Sequence, residues 1–340
     1  MSQISVAASS RPLALGLLGS EARPAVARPA VARLDTRRAL QLGLAGIWLL
    51  DGVLQYQPFM YTKAFAQMLA GTAAGNPSVI ARPITWDANL VQHHLVLLNT
   101  IFATIQLLLG LGIAFRPTVR IALAASIAWS VGVWWFGEGL GGVLSGGASP
   151  LNGAPGAVMI YGLLAVLLWP ADRTTTAPFV AARAVGVHVA RAVWVVFWLS
   201  QAYFALTPAN RAPQGVSAMI AKMESGEPGW LAAIERGGAS LVAGQGLAVS
   251  VVLAVALAGI AIGVYLPAPF AKATLVLAIA VALVIWVVAQ GLGGILASGA
   301  TDPNSGPLLA LLALAYWPAA AMAGRRRTAA VLSAGAELTR

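Results

Sequence analysis

Four ionisable residues lie within or at the ends of long apolar runs: Asp51, His93, His94 and Glu138. A titratable group inside a membrane segment is costly, so each of them is a candidate functional residue. Two carboxylates and two imidazoles can hold a divalent metal, share a proton or hydrogen-bond a quinone carbonyl. A metal site would use His94, Glu138 and Asp51. The two histidines are adjacent, about 100° apart around a helix, so we expect only one to face inward.

An alternative interpretation of the two carboxylates involves no binding site. Asp51 and Glu138 would then simply meet water at the membrane boundary. The segment from Gly137 to Gly142 also matches the G-x-G-x-x-G pattern of dinucleotide-binding folds. No strand precedes it, so we interpret its glycines as residues that allow close helix packing and a tight turn.

The composition is that of a membrane protein. The 340 residues are 59% hydrophobic and only 9% charged, and the mean hydropathy is +0.80. Soluble domains carry about 25% charged residues, so we expect most of this chain to face the lipid bilayer. The net charge of +10 is concentrated in the tails and alternate loops, and no nucleic-acid-binding motif accompanies it, so we exclude nucleic acid as a partner. The chain has no cysteine, which excludes thiol chemistry within it.

The sequence contains an internal repeat. The segment WWFGEGLGGVL that begins at Trp134 returns as WVVAQGLGGIL at Trp286, and shorter matches occur in the same order on either side. Such repeats decide the architecture and are sought first. In the alignment Asp51 corresponds to Gln201 and Glu138 to Gln290. Because only the first copy keeps the charges, we expect one active half and one structural half.

Apolar runs long enough to cross the bilayer as helices occur eight times. We therefore predict an all-α fold, a polytopic transmembrane bundle of eight spans arranged as two parallel four-helix repeats. The predicted spans are 38–56, 92–115, 119–138, 155–171, 185–206, 239–265, 271–290 and 305–322. The predicted division is a disordered basic tail at 1–37, a first module at 38–172, a linker at 173–184, a second module at 185–322 and a basic tail at 323–340.

The distribution of basic residues predicts the orientation. With the N-terminus inside, most of the 21 Lys and Arg residues lie on the cytoplasmic side, as the positive-inside rule requires. The residues left outside are Lys63, Arg82, Arg211, Lys222 and Arg236. Both termini are therefore expected in the cytoplasm. Each module then has a long outer loop, 57–91 or 207–238, containing a short amphipathic helix that lies either on the outer leaflet or on the helix tops.

Three features of the four-helix module resemble the DoxX/DoxD family of bacterial membrane proteins. They are the long outer loop after the first helix, a glycine-rich first helix with Gly43, Gly46 and Gly52, and the inner basic turn at 115–117. The resemblance covers 38–171 and 185–322, and it brings over no functional residues. It implies a location in the bacterial cytoplasmic membrane. It also implies an accessory role in thiosulfate:quinone oxidoreduction or beside thiol-redox proteins, rather than an enzyme acting alone.

Our leading hypothesis is thus a quinone-linked accessory protein with an outer pocket of Asp51, His93, His94 and Glu138. Quinone or a divalent metal is its expected cofactor, and a redox protein or a second copy of the chain its expected partner. The alternative is a small-solute or ion transporter, and a structural assembly partner is a third possibility. The transporter hypothesis requires polar groups at mid-membrane depth, and a short line of them keeps it open. Its residues are Asn99, Thr100, Thr104, Gln106, Ser126 and Ser130.

Overall fold

The computed structural model describes residues 35–172, here called the first half, and 177–318, the second half. Within these ranges all regular secondary structure is helical and there is no strand, which confirms the predicted all-α class. The predicted basic tails lie outside the described residues except for 35–37, and so do residues 173–176 of the predicted linker. The α-helices are α1 Thr36–Leu54, α2 Lys63–Gly71, α3 Ser78–His93, α4 Leu95–Ala114, α5 Val119–Phe136, α6 Ala157–Leu167, α7 Val180–Val185, α8 Val187–Ala205, α9 Pro208–Arg211, α10 Gly215–Ala221, α11 Gly229–Leu241, α12 Gly246–Gly263, α13 Ala268–Val288 and α14 Ser305–Ala315.

Four segments of the described chain are long and apolar enough to cross a membrane. They are α4, α5 together with the turn before it, α12 and α13, and about two thirds of their residues are not buried within the protein. Apolar helices with so much exposed surface belong in lipid, and the chain is a membrane protein. Of the other predicted spans, α6 and α14 are shorter apolar helices, and α1 and α8 are long but less apolar.

The helices pack in the same pairs in both halves. In the first half α1 lies along α4 and α5 packs on α6; in the second, α8 lies along α12 and α13 packs on α14. The halves meet where α14 contacts α1 and α6. One hydrophobic core includes buried residues of both halves, among them Trp48, Tyr161, Trp194 and Tyr316. The positions of α1, α4, α5 and α6 around this core determine the geometry of the site.

The segments predicted as long outer loops are largely helical. In the first half they form α2 and α3, and in the second α9, α10 and α11. The apolar face of α2, with Phe65, Ala66 and Leu69, packs against residues of α3 and α4. Of the two placements considered for this amphipathic helix, the contacts therefore fit packing on the helix tops. The α2–α3 hairpin covers the end of the bundle at which α1 terminates.

Candidate functional site

A cavity of about 320 Å³ lies beneath the α2–α3 hairpin, between α1, α4, α5 and α6. Its volume is at the lower end of the range for small-molecule sites. Aromatic rings form much of the wall: Trp48, Phe65, Phe102, Trp129, Phe136 and Tyr161. Four carboxyl groups and two amides also line it: Asp51, Asp87, Glu138, Asp302, Gln55 and Gln106. The lining includes no Lys, Arg or His.

Helix α1 supplies one wall through a regular buried face. Its buried residues Leu44, Trp48 and Asp51, and Gln55 just after the helix, recur every three or four positions, as a helix packed along one side requires. The Trp48 ring lies 4.2 Å from the Tyr161 ring, centroid to centroid. The Trp48 Nε1–H donates to Ser126 Oγ at 3.0 Å. These contacts fix the turn of α1 that carries Asp51.

Fully buried leucines follow the cavity-lining residues along three helices. They are Leu44 on α1, Leu123 on α5 and Leu164 on α6, all 0% exposed and members of one hydrophobic core. Towards the opposite end of the bundle, Gln41 Nε2 donates to the Leu168 carbonyl at 2.9 Å. The polar residues of α1 therefore form two groups separated by an apolar layer.

Several buried polar atoms of the lining lack a hydrogen-bond partner. These are Asp51 Oδ1, Gln55 Oε1, Gln106 Oε1, Trp129 Nε1, Glu138 Oε2 and the Tyr161 hydroxyl. The Tyr161 hydroxyl lies close to the Asp51 carboxyl, yet neither it nor Asp51 Oδ1 completes a hydrogen bond of normal geometry. Buried polar groups in folded proteins are nearly always paired, so this concentration around one cavity indicates a place for a ligand or water.

Glu138 joins two elements at the rim of the cavity. It lies just beyond the end of α5, and its Oε1 accepts a hydrogen bond from the Val158 backbone N–H, in the first turn of α6, at 3.0 Å. The Trp134 Nε1–H donates to the Pro155 carbonyl at 2.5 Å, which ties the same two helices together. Burial, reinforced by the charge of Asp302, raises the pKa of Glu138 to about 8.

The turn after Glu138 requires an unusual backbone. Leu140 has φ 57° and Gly141 has φ 60°, and a Cβ on Gly141 would overlap the Pro155 carbonyl. Left-handed residues in succession are costly for any side chain except glycine. This turn brings the start of α6 back against the end of α5, so that Glu138 can reach Val158.

The second half contains a turn of the same geometry. Leu292 has φ 54° and Gly293 has φ 77°, and the Trp286 Nε1–H donates to the Pro303 carbonyl at 2.7 Å. Here Gln290 takes the place of Glu138, and its Nε2 donates to Ser305 Oγ, in the first turn of α14, at 2.8 Å. An uncharged amide thus joins the corresponding two elements in the second half, through a side-chain hydroxyl instead of a backbone N–H.

Asp302 reaches the cavity from the second half of the chain. Its loop is held by Gln57 of the first half, which accepts from the Gly299 N–H at 3.2 Å and donates to the Ala300 carbonyl at 3.3 Å. Asp302 in turn accepts from the Asn304 N–H at 2.7 Å. Burial raises the pKa of the Asp302 carboxyl. One acidic group of the site therefore depends on how the two halves dock.

The corresponding loop of the first half enters the second half. Leu151 is buried in a cluster with Val216, Ile220 and Ile285, and the Ser149 hydroxyl donates to Asn210 Oδ1 at 3.0 Å. The two halves therefore exchange loops. The loop that enters the first half contributes a carboxyl, whereas the loop that enters the second half contributes a leucine.

The structure brings together Asp51 and Glu138 of the predicted pocket but not the two histidines. His93 and His94 are exposed at the junction of α3 and α4, outside the cavity lining, and His93 Nδ1 lies 2.8 Å from the Asn89 carbonyl. Gln201 is buried in α8 of the second half. Among the described residues no group of three or more His, Cys, Asp or Glu is arranged to hold a metal ion.

The predicted polar line divides between the cavity and the helix surface. Gln106 lines the cavity, and the Asn99 Nδ2–H donates to the Gln55 carbonyl at 2.7 Å. Thr100 and Thr104 instead hydrogen-bond the backbone of their own helix. Sequence reasoning missed Asp87, Trp129, Tyr161 and Asp302 as cavity residues. The aromatic pair resembled interfacial or core residues, and the acidic pair lies in connecting segments where a carboxylate is unremarkable.

Comparison with protein-family models, curated proteins and solved structures finds no match to this chain.

Proposed function

We propose that this chain is an eight-span protein of the bacterial cytoplasmic membrane, built as two parallel four-helix repeats with both termini in the cytoplasm. We further propose that it is DoxX-like. The equal helix pairing in both halves and the equal turns after Glu138 and Gln290 support a duplication. In this arrangement α1 and α8 are spans whose polar positions are buried against their partners, which explains their lower hydropathy.

In this proposal the chain is a solute carrier, and the cavity of the first repeat is the site at which it binds its small-molecule substrate. The observation that carries the proposal is the set of unpartnered buried polar atoms around an aromatic cavity, with a layer of fully buried leucines further along the same helices. A site closed on one side and accessible on the other is what alternating access requires of each state. A bound molecule with both polar and apolar groups would satisfy these atoms and the rings together.

The residues of the second repeat indicate that this site is confined to the first repeat. Its counterparts of Gln106, Trp129 and Tyr161 in the repeat alignment are Leu257, Val281 and Leu309. Its equivalent of the cavity contains a packed cluster that includes Leu151, the residue supplied by the first half. These three replacements and the packed cluster support a small-molecule site in the first repeat. The second half has unpartnered buried polar atoms of its own, among them both oxygens of Glu235, but they do not line this cavity.

A quinone-linked accessory role is the second candidate. The observation in its favour is a pair of buried donors without partners, the Tyr161 hydroxyl and the Trp129 Nε1–H, since a quinone headgroup offers carbonyl acceptors. In that role a redox protein or a second copy of this chain would be the partner. The four carboxyl groups suit a neutral quinone less well than they suit a ligand with donors of its own.

Blocking the cavity tests the proposal directly. Gly132 lines the cavity, and a Cβ on it would meet nothing within 4 Å, so Gly132→Phe fills the space without disturbing the backbone. Gly259→Phe is the matched control, because Gly259 is an exposed glycine of α12 with equally open surroundings. We expect a small molecule to co-purify from membranes with the parent chain and the control but not with Gly132→Phe. Equal recovery of every co-purifying molecule from both variants would refute the proposal.

A further inference from the structure

The cavity has an excess of negative charge. Its lining contains Asp51, Asp87, Glu138 and Asp302 and no basic residue. None of the four carboxyls takes part in the ion pairs found among the described residues, which involve Asp35, Asp172 and Glu224. A buried carboxyl without a counter-ion must either hold a proton or be paired with a cation that comes from outside.

The least exposed of these four carboxyl groups lines the cavity and has an oxygen without a hydrogen-bond partner. Asp51 is 2% exposed, and its Oδ1 has no hydrogen-bond partner. Glu138 satisfies one oxygen on the Val158 N–H and leaves Oε2 without a partner. The two carboxyls come from different helices, α1 and the end of α5, so one ligand in the cavity would lie between them.

The aromatic walls restrict the kind of cation that fits. Six rings line the cavity, and the faces of Trp and Tyr attract organic cations, whose charge is spread over apolar groups. A bare metal ion prefers several oxygen ligands, and among the residues that the structure describes no such group is arranged for it. The volume of about 320 Å³ corresponds to roughly ten water-sized groups at about 30 Å³ each.

We propose that the cavity binds an amphipathic organic cation, a substituted ammonium attached to an aromatic or branched apolar body. The ammonium would lie between Asp51 and Glu138, near the loop of Asp302, and the apolar body would lie against the rings. This inference rests on the proposed function, since it names the chemical class of the ligand at the same site. It excludes an anion, for which the lining offers no positive group.

A pair of ligands that differ only in charge tests the inference. Benzyltrimethylammonium carries a permanent charge, and neopentylbenzene is its neutral carbon analogue of the same shape. Equilibrium dialysis against the purified full chain in detergent would compare their binding. We expect the cation to bind about tenfold more tightly or better, because ring faces and carboxylates both favour it. Equal affinity for the two compounds would overturn the inference while leaving the proposed function intact.

Variants assign the effect to named groups. Asp51→Asn and Asp302→Asn keep the shape of the side chains, and each should weaken the cation about tenfold while leaving neopentylbenzene within about twofold. Glu224→Gln is the charge control, because Glu224 pairs with Arg236 in the second half and is not among the cavity residues. Loss of both ligands together in the two Asn variants would indicate a structural effect and would contradict the assignment.

A neutral quinone headgroup, 2,3-dimethoxy-5-methyl-1,4-benzoquinone, separates the remaining outcomes. Tighter binding of this compound than of the cation would refute the present inference and support the second candidate function. If none of the three compounds binds and Gly132→Phe changes no co-purifying molecule, the proposed function itself fails. Binding of the cation that Gly132→Phe abolishes would support both proposals.

Discussion

Removing the Glu138 carboxyl should separate its role in the fold from its charge. Glu138→Ala leaves the Val158 N–H without its acceptor, and Val158 is only 6% exposed. An unsatisfied buried N–H costs about 1–3 kcal/mol, to which a small cavity adds. Glu138→Gln keeps an oxygen at the same place, as Gln290 shows that an amide can serve at this turn. We expect the alanine variant to be clearly less stable than the glutamine variant.

The magnitude translates into a melting temperature. One kcal/mol shifts the midpoint of a domain of 150–250 residues by about 2–4 °C, so a loss of about 1–3 kcal/mol should lower the midpoint of Glu138→Ala by about 2–12 °C. Glu138→Gln should stay within about 2 °C at pH 5, where both side chains are neutral. Intrinsic tryptophan fluorescence during heating in detergent would measure these midpoints.

The pH dependence tests the charge separately. The pKa of Glu138 is raised from an ordinary 4.5 to about 8, so the folded protein holds this proton more strongly than the unfolded chain. Its contribution to stability is therefore complete below pH 4.5 and is lost as the pH rises through 8. The slope is at most about 1.4 kcal/mol per pH unit, and less here because the carboxyl is partly exposed.

The melting midpoint of the parent chain should therefore fall between pH 5 and 8 as Glu138 loses its proton. The midpoint of Glu138→Gln should fall less over the same range. Two results would refute this reasoning about Glu138. One is an alanine variant that melts with the parent chain, and the other is a glutamine variant whose midpoint falls with pH as steeply as the parent's.

Three further predictions concern other positions. Burial raises the pKa of Glu235, 0% exposed and unpartnered at both oxygens, to about 7, so its stabilising proton is lost above that pH; Glu235→Gln should melt higher than the parent at pH 8 but not at pH 5. Trp48→Phe keeps the ring contact and loses the hydrogen bond to Ser126, so thermal unfolding should show a loss of about 1 kcal/mol or more. Gly141→Ala should reduce the yield of folded protein in size-exclusion chromatography, whereas Gly132→Ala should not, since Gly141 combines a positive φ with a backbone overlap and Gly132 has neither.

Sequence reasoning located the long apolar helices because their length is dictated by the bilayer. The predicted spans 119–138 and 271–290 lie within two or three residues of α5 and α13 at both ends. It predicted a short amphipathic helix in each outer loop, and α2 is such a helix. It did not predict α3, because Pro83 within that segment is a local signal against a helix.

For the site, sequence reasoning succeeded only where a charge interrupts an apolar run. Asp51 and Glu138 stood out for that reason, and both line the cavity. The histidines also stood out, but the chain breaks between α3 and α4 at His94, which has φ −129° and ψ 38°, and both side chains remain exposed. Asp302 carried no local signal, because it reaches the cavity only through the docking of the second half on the first.

The exchange of loops makes the two halves dependent on each other in an unequal way. A polypeptide ending near residue 172 would keep Asp51 and Glu138. It would lack Asp302 and the backbone groups of 299–300 to which Gln57 hydrogen-bonds. Two copies of that shorter polypeptide, arranged symmetrically, could insert only the loop of Leu151 into each other. An apolar side chain would then fill the cavity in both copies. A single chain with two different halves can instead keep the cavity of the first half open while a packed apolar cluster occupies the second half.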